Sequence, residues 1–281
     1  MVTRFALLLP LFAIVAVGVV GGALFFSSRR ETPAPAAATL APATSAAIPT
    51  PAGQPKLAPG QTVCQGLLHV PGAGEPRTFP AVYTQRVDVR GITVVGSANV
   101  SRQAFDEAKK TIERMFANND LVEPLVERGA YVIIVDDGQG ILSLPEFSCL
   151  GREAAANLIS HACGIADRAD YPVATVNEAD LVGDRRGPCR GLNILYHELG
   201  HLVQNWSLPP ADYFDIKQYY AAAVAAGKYK GQYAATNPNE YFAEATQNYF
   251  LHGDPDGSKD RAWLRKYDPD LYELLARNYG E

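Results

Sequence analysis

Tyr196-His197-Glu198-Leu199-Gly200-His201 lies inside an apolar run, residues 192–206, and this stretch decides how the chain is interpreted. The run predicts an α-helix, on which His197 and His201 are four residues apart and leave the same face. Two imidazoles at that spacing can bind one metal ion, and Glu198 then lies beside the ion, where it can accept a proton from water. The pattern H-E-x-x-H therefore predicts zinc-assisted peptide hydrolysis; the alternative is an ordinary helix that carries two histidines.

The predicted third zinc ligand comes from a second helix. Catalytic zinc needs three protein ligands, and the residues after His201 lack the Gly and third His of the pattern H-E-x-x-H-x-x-G-x-x-H. Residues 237–244 read N-P-N-E-Y-F-A-E, which is typical of a helix start. Glu240 and Glu244 lie one turn apart there. Glu240 can thus bind zinc, while Glu244 holds His197 through its second ring nitrogen.

Two alternatives to this ligand remain open. Glu240 could instead complete a capping box with Asn237, in which case its carboxylate would serve the helix end rather than a metal ion. His252, next to Gly253-Asp254-Pro255, is a rival ligand, although we expect it to lie beyond the helix end.

The two motifs together resemble a known family. H-E-L-G-H followed about forty residues later by E-Y-F-A-E is similar to the gluzincin clan of zinc metallopeptidases, and more closely to the lethal-factor-like (ATLF-type) catalytic domain. The specific similarity covers residues 190–252, with looser similarity from residue 83 and at residues 266–275. The resemblance implies zinc binding by His197, His201 and Glu240, a general base at Glu198 and a supporting role for Glu244.

The same resemblance implies a role for Tyr233, seven residues before Glu240. It would donate a hydrogen bond to the developing oxyanion or to the leaving group; the alternative is one of 14 Tyr that packs a loop. Lethal factor, the toxin after which this family is named, recognises its targets with additional domains that lie outside the similarity. The resemblance therefore does not imply the substrate specificity of the toxin.

These motifs favour a zinc metalloendopeptidase that acts on peptide or protein substrates. Two other functions fit the same residues. One is a non-catalytic zinc-binding or adhesion module at the cell surface, and the other is a zinc amidase that acts on cell-wall peptides.

The pattern of elements predicts an α+β, zincin-like fold, with a small mixed sheet and a largely helical C-terminal lobe. Alternating β-branched residues predict a hairpin over residues 82–97 that turns near Arg90-Gly91. Helices are predicted from Ser101 to about Asn118 and at residues 121–127, a buried strand at residues 131–135, and a further short element at residues 154–160. Residues 172–176 are either an edge strand that pairs with substrate or an ordinary strand.

The first 61 residues predict an export or anchoring segment and a linker. Residues 5–26 carry no charge and are long enough to span a bilayer, so we favour an uncleaved signal anchor (residues 1–30) over a cleaved signal peptide. Residues 31–61 are rich in Pro, Ala and Thr and predict a disordered linker. The domain at 62–281 is placed outside the cell membrane, although Arg29 and Arg30 favour the opposite orientation.

The four cysteines, Cys64, Cys149, Cys163 and Cys189, suggest two disulfides in an exported domain. Three connectivities are possible. We favour Cys149–Cys163 with Cys64–Cys189, and four free thiols are the alternative for a cytosolic domain.

Composition excludes other classes of function. The net charge is −5, and the basic pairs Lys109-Lys110 and Arg185-Arg186 are isolated, so no nucleic-acid partner is expected. The sequence also lacks a Gly-rich phosphate loop and a dinucleotide-binding fingerprint.

Overall fold

A computed structural model describes residues 62–63, 68–69, 75–148, 163–166 and 171–280, which all belong to one compact unit. The predicted membrane span, the linker and the short element predicted at 154–160 lie outside these residues. Among the helices that are described, none combines the length and the apolar character needed to cross a membrane.

The described strands form a two-stranded ladder and a five-stranded sheet. They are β1 (Thr62–Val63), β2 (Leu68–His69), β3 (Gln85–Val89), β4 (Ile92–Gly96), β5 (Tyr131–Val135), β6 (Gly164–Ile165) and β7 (Val173–Asn177). β1 pairs with β2, and the larger sheet has the order β3-β4-β5-β7-β6. β4, β5 and β7 are parallel to one another, whereas β3 and β6 are antiparallel to their neighbours. The sheet is therefore mixed.

The described helices are α1 (Arg102–Met115), α2 (Val122–Glu127), α3 (Pro145–Ser148), α4 (Glu178–Leu181), α5 (Leu195–Trp206), α6 (Pro210–Ala225), α7 (Pro238–Phe250), α8 (Arg261–Tyr267) and α9 (Pro269–Tyr279). Short 3-10 turns lie at Ile141–Ser143 and Tyr233–Ala235. Since helices dominate after β7, the prediction of an α+β fold with a small mixed sheet and a helical C-terminal part is confirmed.

The predicted hairpin over residues 82–97 and the predicted helix start at Ser101 are both confirmed. Arg90 and Gly91 both have positive φ, 54° and 85°, as a tight turn between twisted strands requires, and they join β3 to β4. Ser101 caps α1, because its hydroxyl accepts a hydrogen bond from the Ala104 amide at 3.3 Å. The helix ends at Met115, three residues before the predicted end.

Alternating residues of the central strands face two separate cores. Val94, Val132 and Ile134 face the helices and belong to the larger core, whereas Val95 and Ile133 face a smaller core on the other side. This period of two is what a sheet covered on both faces requires. β5 is accordingly buried along its whole length.

The helix α5 lies between the sheet and α7. It contacts β7 on one side and α7 on the other, and its residues from Leu195 to Gln204 are all buried. Gly200 permits the close approach of α7, because a Cβ atom at this position would lie only 3.1 Å from Cβ of Thr246. The two motif helices are therefore packed directly on each other.

Of the two interpretations of residues 172–176, the structure supports the ordinary strand where β6 lies beside β7. β7 pairs with β5 along all five of its residues, and Thr175 and Val176 also pair with β6. The two residues of β6 form the edge instead, so β7 is a structural strand at the positions where β6 covers it.

Candidate metal centre

The two histidines of α5 bring their ring nitrogens together in a buried site. Nε2 of His197 lies 3.1 Å from Nε2 of His201, and the two residues are only 8% and 3% exposed. α5 begins after Asn193, whose side-chain oxygen accepts a hydrogen bond from the Leu195 amide at 3.0 Å. Four-residue spacing on one helix thus produces the predicted pair of imidazoles.

Glu240, in the first turn of α7, faces both histidines. Its Oε2 lies 3.2 Å from Nε2 of His197 and 3.4 Å from Nε2 of His201. Asn237 caps the helix, since its side-chain oxygen accepts hydrogen bonds from the Asn239 and Glu240 amides. The two roles weighed for this segment are therefore divided: Asn237 serves the helix end, and the carboxylate of Glu240 points at the imidazoles.

The three atoms fit a tetrahedral metal ion. Ligands about 2.0–2.1 Å from a tetrahedral centre lie about 3.3 Å from one another, and the measured separations are 3.1, 3.2 and 3.4 Å. Glu240 Oε2 accepts no well-aligned hydrogen bond within the described residues, although it is buried. The group His197, His201 and Glu240 can therefore bind a metal ion.

The charges of the site favour a bound cation. Burial disfavours the charged imidazolium of His197, but the adjacent carboxylates of Glu240 and Glu244 outweigh burial and raise its pKa well above the ordinary 6.5. Burial also disfavours the charged form of Glu240, which would raise its pKa, but the two imidazoles hold that pKa well below its ordinary range. In the absence of metal, the carboxylates thus favour a proton at the place where a metal ion would bind.

Glu244 lies on the far side of the His197 ring. Its Oε1 is 3.3 Å from Nδ1 of His197, while Nε2 of the same ring faces Glu240. A carboxylate behind a metal-binding histidine fixes its tautomer and orientation. Glu244 therefore lies where the sequence analysis predicts it.

Gln247 is a site residue that the sequence analysis missed. Its side-chain oxygen accepts a hydrogen bond from the His197 amide at 3.2 Å, and its nitrogen donates to the carbonyl oxygens of Asn193 and His252 at 2.9 and 3.1 Å. Because it follows Glu240 by seven residues, it lies on the same face of α7. The seven-residue step from Glu240 is the feature of the sequence from which the position of Gln247 could have been predicted.

Glu198 is buried next to the edge strand. It is 6% exposed, and a Cβ atom at Gly164 in β6 would lie 2.9 Å from Cγ of Glu198 and 2.4 Å from both Ile194 Cδ1 and the Thr175 carbonyl oxygen. Only glycine permits this contact between β6 and α5. The backbone of β6 therefore forms part of the surroundings of the proposed base.

Tyr233 lies beside His197 and is partly exposed. Its ring is roughly parallel to that of His197, with ring centres 6.2 Å apart and an angle of 27°, and its side chain is 37% exposed. The structure thus brings Tyr233 to the same site, as the resemblance implied.

His252 lies apart from the metal group. Its Nδ1 is 2.5 Å from the carbonyl oxygen of Asp254, and its backbone pairs with Asp260 beyond the end of α7. A second cluster of potential ligands among the described residues is Cys163, Asp180 and Cys189, but its two sulfur atoms are joined in a disulfide. The predicted rival ligand is therefore not part of the site.

The favoured disulfide pairing is wrong. Cys163 pairs with Cys189, with Cα atoms 5.7 Å apart, so neither Cys149–Cys163 nor Cys64–Cys189 can form. The pairing follows from the sheet: β6 lies beside β7, which brings Cys163 to the loop that precedes α5. Asp180 orders the same loop by accepting hydrogen bonds from the amides of Cys189 and Gly191.

Comparison with known proteins identifies no relative: no model of a protein family matches this chain, and no curated protein matches it significantly.

Proposed function

We propose that the chain is a zinc-dependent peptidase of the gluzincin type, with a zincin-like fold. The observation that carries the proposal is the mutual spacing of His197 Nε2, His201 Nε2 and Glu240 Oε2, at 3.1 to 3.4 Å. Two imidazoles and one carboxylate are a typical ligand set of catalytic zinc, which keeps a fourth position open. Zinc bound there supplies Lewis acidity, which makes water nucleophilic near neutral pH and polarises a substrate carbonyl.

The remaining steps belong to residues of this chain. Glu198 accepts the proton of the attacking water and then passes it to the leaving amine. Tyr233 donates a hydrogen bond to the oxygen that gains negative charge. Its partly exposed ring beside His197 supports this role, because a group that contacts substrate has to be both near the metal group and accessible.

The proposed location is at the cell membrane with the domain outside, or secreted if the leader is cleaved. The disulfide between Cys163 and Cys189 supports an oxidising compartment, since such bonds are rare in the cytosol.

The test combines metal content with turnover. The full chain, its variants Glu198→Gln and Glu240→Ala, and the control Glu273→Gln, at an exposed position, are loaded with zinc and assayed on an unfolded protein, with mass spectrometry of the products. Glu240→Ala should lose zinc. Glu198→Gln should keep one zinc per chain and lose turnover about a hundredfold or more.

Other outcomes would contradict the proposal. A Glu198→Gln variant that still cleaves well removes the assigned base. Zinc bound at this site without hydrolysis of any protein or cell-wall peptide favours the binding module, and hydrolysis of cell-wall peptides alone favours the amidase.

A further inference from the structure

A cavity of about 680 Å³ lies at the C-terminal end of α7, where α1, α8 and α9 meet it. Its walls include Arg114, Tyr249, Phe250, Arg261, Arg265 and Tyr272. Glu240 lies in the first turn of α7, ten residues before Phe250, so the cavity is about 15 Å along the helix from the metal group. Its volume lies within the range typical of small-molecule sites.

The charged groups of this cavity are mostly arginines. Arg114, Arg261 and Arg265 contribute three positive charges, and Asp260 contributes one negative charge. Asp260 already caps α8, since its carboxylate accepts a hydrogen bond from the Trp263 amide at 2.8 Å. No ion pair joins the three arginines to a carboxylate of the described residues. The cavity is thus positive in a chain whose net charge is −5.

Aromatic rings hold two of the arginines in place. Cζ of Arg261 lies 4.0 Å from the ring centre of Tyr249, and Arg261 also donates a hydrogen bond to the hydroxyl of that tyrosine. Cζ of Arg265 lies 5.4 Å from the ring centre of Tyr272. A guanidinium stacked on a ring keeps N–H groups at its edge for a planar acceptor, and it loses less side-chain entropy on binding.

We propose that this cavity binds a small organic anion. Arg261 and Arg265 hold its carboxylate or phosphate group, because guanidinium groups match the geometry of both oxyanions. The apolar or aromatic body of the ligand packs on Tyr249, Phe250 and Tyr272. This site is separate from the metal group and does not depend on the proposed peptidase activity.

The test measures binding of three probes that share a benzene ring. Benzoate and phenyl phosphate carry the two oxyanions, and benzyl alcohol is neutral. Titration calorimetry on the full chain should detect one or both anions, with the tighter one identifying the preferred oxyanion, and much weaker binding of the alcohol. Glu240→Ala should bind the anions as the wild type does, which separates this site from the metal group.

Arginine variants locate the binding. Arg265→Gln and the double variant Arg261→Gln/Arg265→Gln should weaken anion binding about tenfold or more, because each removes a charge-assisted hydrogen bond. Arg102→Gln, an exposed control on α1, should stay within about twofold. Arg265 is itself exposed, so its single variant decides the question if the double variant unfolds; thermal unfolding of each variant is recorded alongside.

Three results would overturn the proposal. One is the absence of binding of either anion up to about 10 mM, where even weak sites are detected. Another is unchanged anion binding in a folded Arg265→Gln variant. The third is equal affinity for benzyl alcohol, which would make the cavity an apolar pocket rather than an anion site.

Discussion

Glu244 Oε1 lies 3.3 Å from Nδ1 of His197, on the side of the ring opposite to Glu240. The imidazole is therefore held at both nitrogens, by one carboxylate on each side. When the imidazole is neutral, Nδ1 can donate its proton to Glu244, which leaves Nε2 with its lone pair directed at the metal position. This relationship makes Glu244 a positioning residue whose effect should appear in metal affinity.

Glu244 variants test this role. Glu244→Gln keeps a hydrogen-bond acceptor but removes the charge, and Glu244→Leu removes both. We expect Glu244→Leu to weaken zinc binding about 10- to 100-fold, with a smaller effect for Glu244→Gln, because a supporting carboxylate orients the ligand and raises its basicity. Competition with a chelator of known affinity measures the zinc affinity of each variant. Glu127→Gln, at an exposed position, is the control. Wild-type affinity in Glu244→Leu would contradict the assignment.

Gln247 joins the first turn of α5 to α7, so its loss should weaken the site from the backbone side. Gln247→Leu leaves the buried amide of His197 without its acceptor, which should lower the free energy of unfolding by about 1–3 kcal/mol and also weaken zinc binding. Denaturant unfolding and the chelator competition measure the two effects.

Gln204→Leu is the matched control for this variant. Gln204 is equally buried, on α5, and its side-chain nitrogen and oxygen have no hydrogen-bond partner among the described residues. Its replacement by Leu should therefore be neutral or stabilising. Equal destabilisation by the two variants would show that loss of volume or polarity, rather than the bond to His197, is responsible.

Helical periodicity made most of the site predictable. Four-residue spacing placed His197 with His201 and Glu240 with Glu244, and the cap at Asn237 located the start of α7. One more step of the same periodicity reaches Gln247. These relationships are local in sequence, so they depend little on how the rest of the chain folds.

Contacts between distant segments were not predictable in the same way. β6 has only two residues, and its pairing with β7 depends on the fold of the sheet rather than on any local pattern. The disulfide between Cys163 and Cys189 and the contact of Gly164 with Glu198 both follow from that pairing. Without the register of β6, the sequence left three connectivities open, and the favoured one named the wrong cysteine partners.

Gly164→Ala tests the contact between β6 and the proposed base. The new methyl group would lie 2.4 Å from the Thr175 carbonyl oxygen and 2.9 Å from Cγ of Glu198. Backbone of a neighbouring strand cannot move aside cheaply, so we expect a loss of about 1–3 kcal/mol in stability. Turnover should fall further than unfolding explains, with zinc content unchanged, because Glu198 is displaced.

Gly140→Ala is the control, since no atom lies within 4 Å of a Cβ atom at that position and its φ is −84°. Thermal unfolding, zinc content and turnover are compared for the two alanine variants. If Gly164→Ala matched the control in all three, the close packing of β6 on Glu198 would be refuted.

The charges around His197 predict how pH acts on the metal-free protein. The raised pKa of His197 means that the folded state binds its proton more tightly, so this stabilisation is complete below the ordinary pKa of 6.5 and is lost as pH rises through the raised value. Glu240 has a lowered pKa, so its carboxylate stabilises the folded state at pH values above its ordinary pKa of 4.5. This stabilisation is lost as pH falls through the lowered pKa. Both contributions are present together between these two ordinary values.

If zinc binds as proposed, it has to displace the proton from His197, so that binding and protonation compete. At pH 7 we expect zinc binding to release about one proton per chain, and the affinity to fall as pH decreases. Calorimetry in two buffers with different ionisation enthalpies counts the protons. Glu244→Leu should release fewer, because one of the carboxylates that raise the pKa of His197 is gone. A binding enthalpy that is the same in both buffers would show that His197 is already neutral in the metal-free protein, and that its carboxylates orient the ring without holding a proton on it.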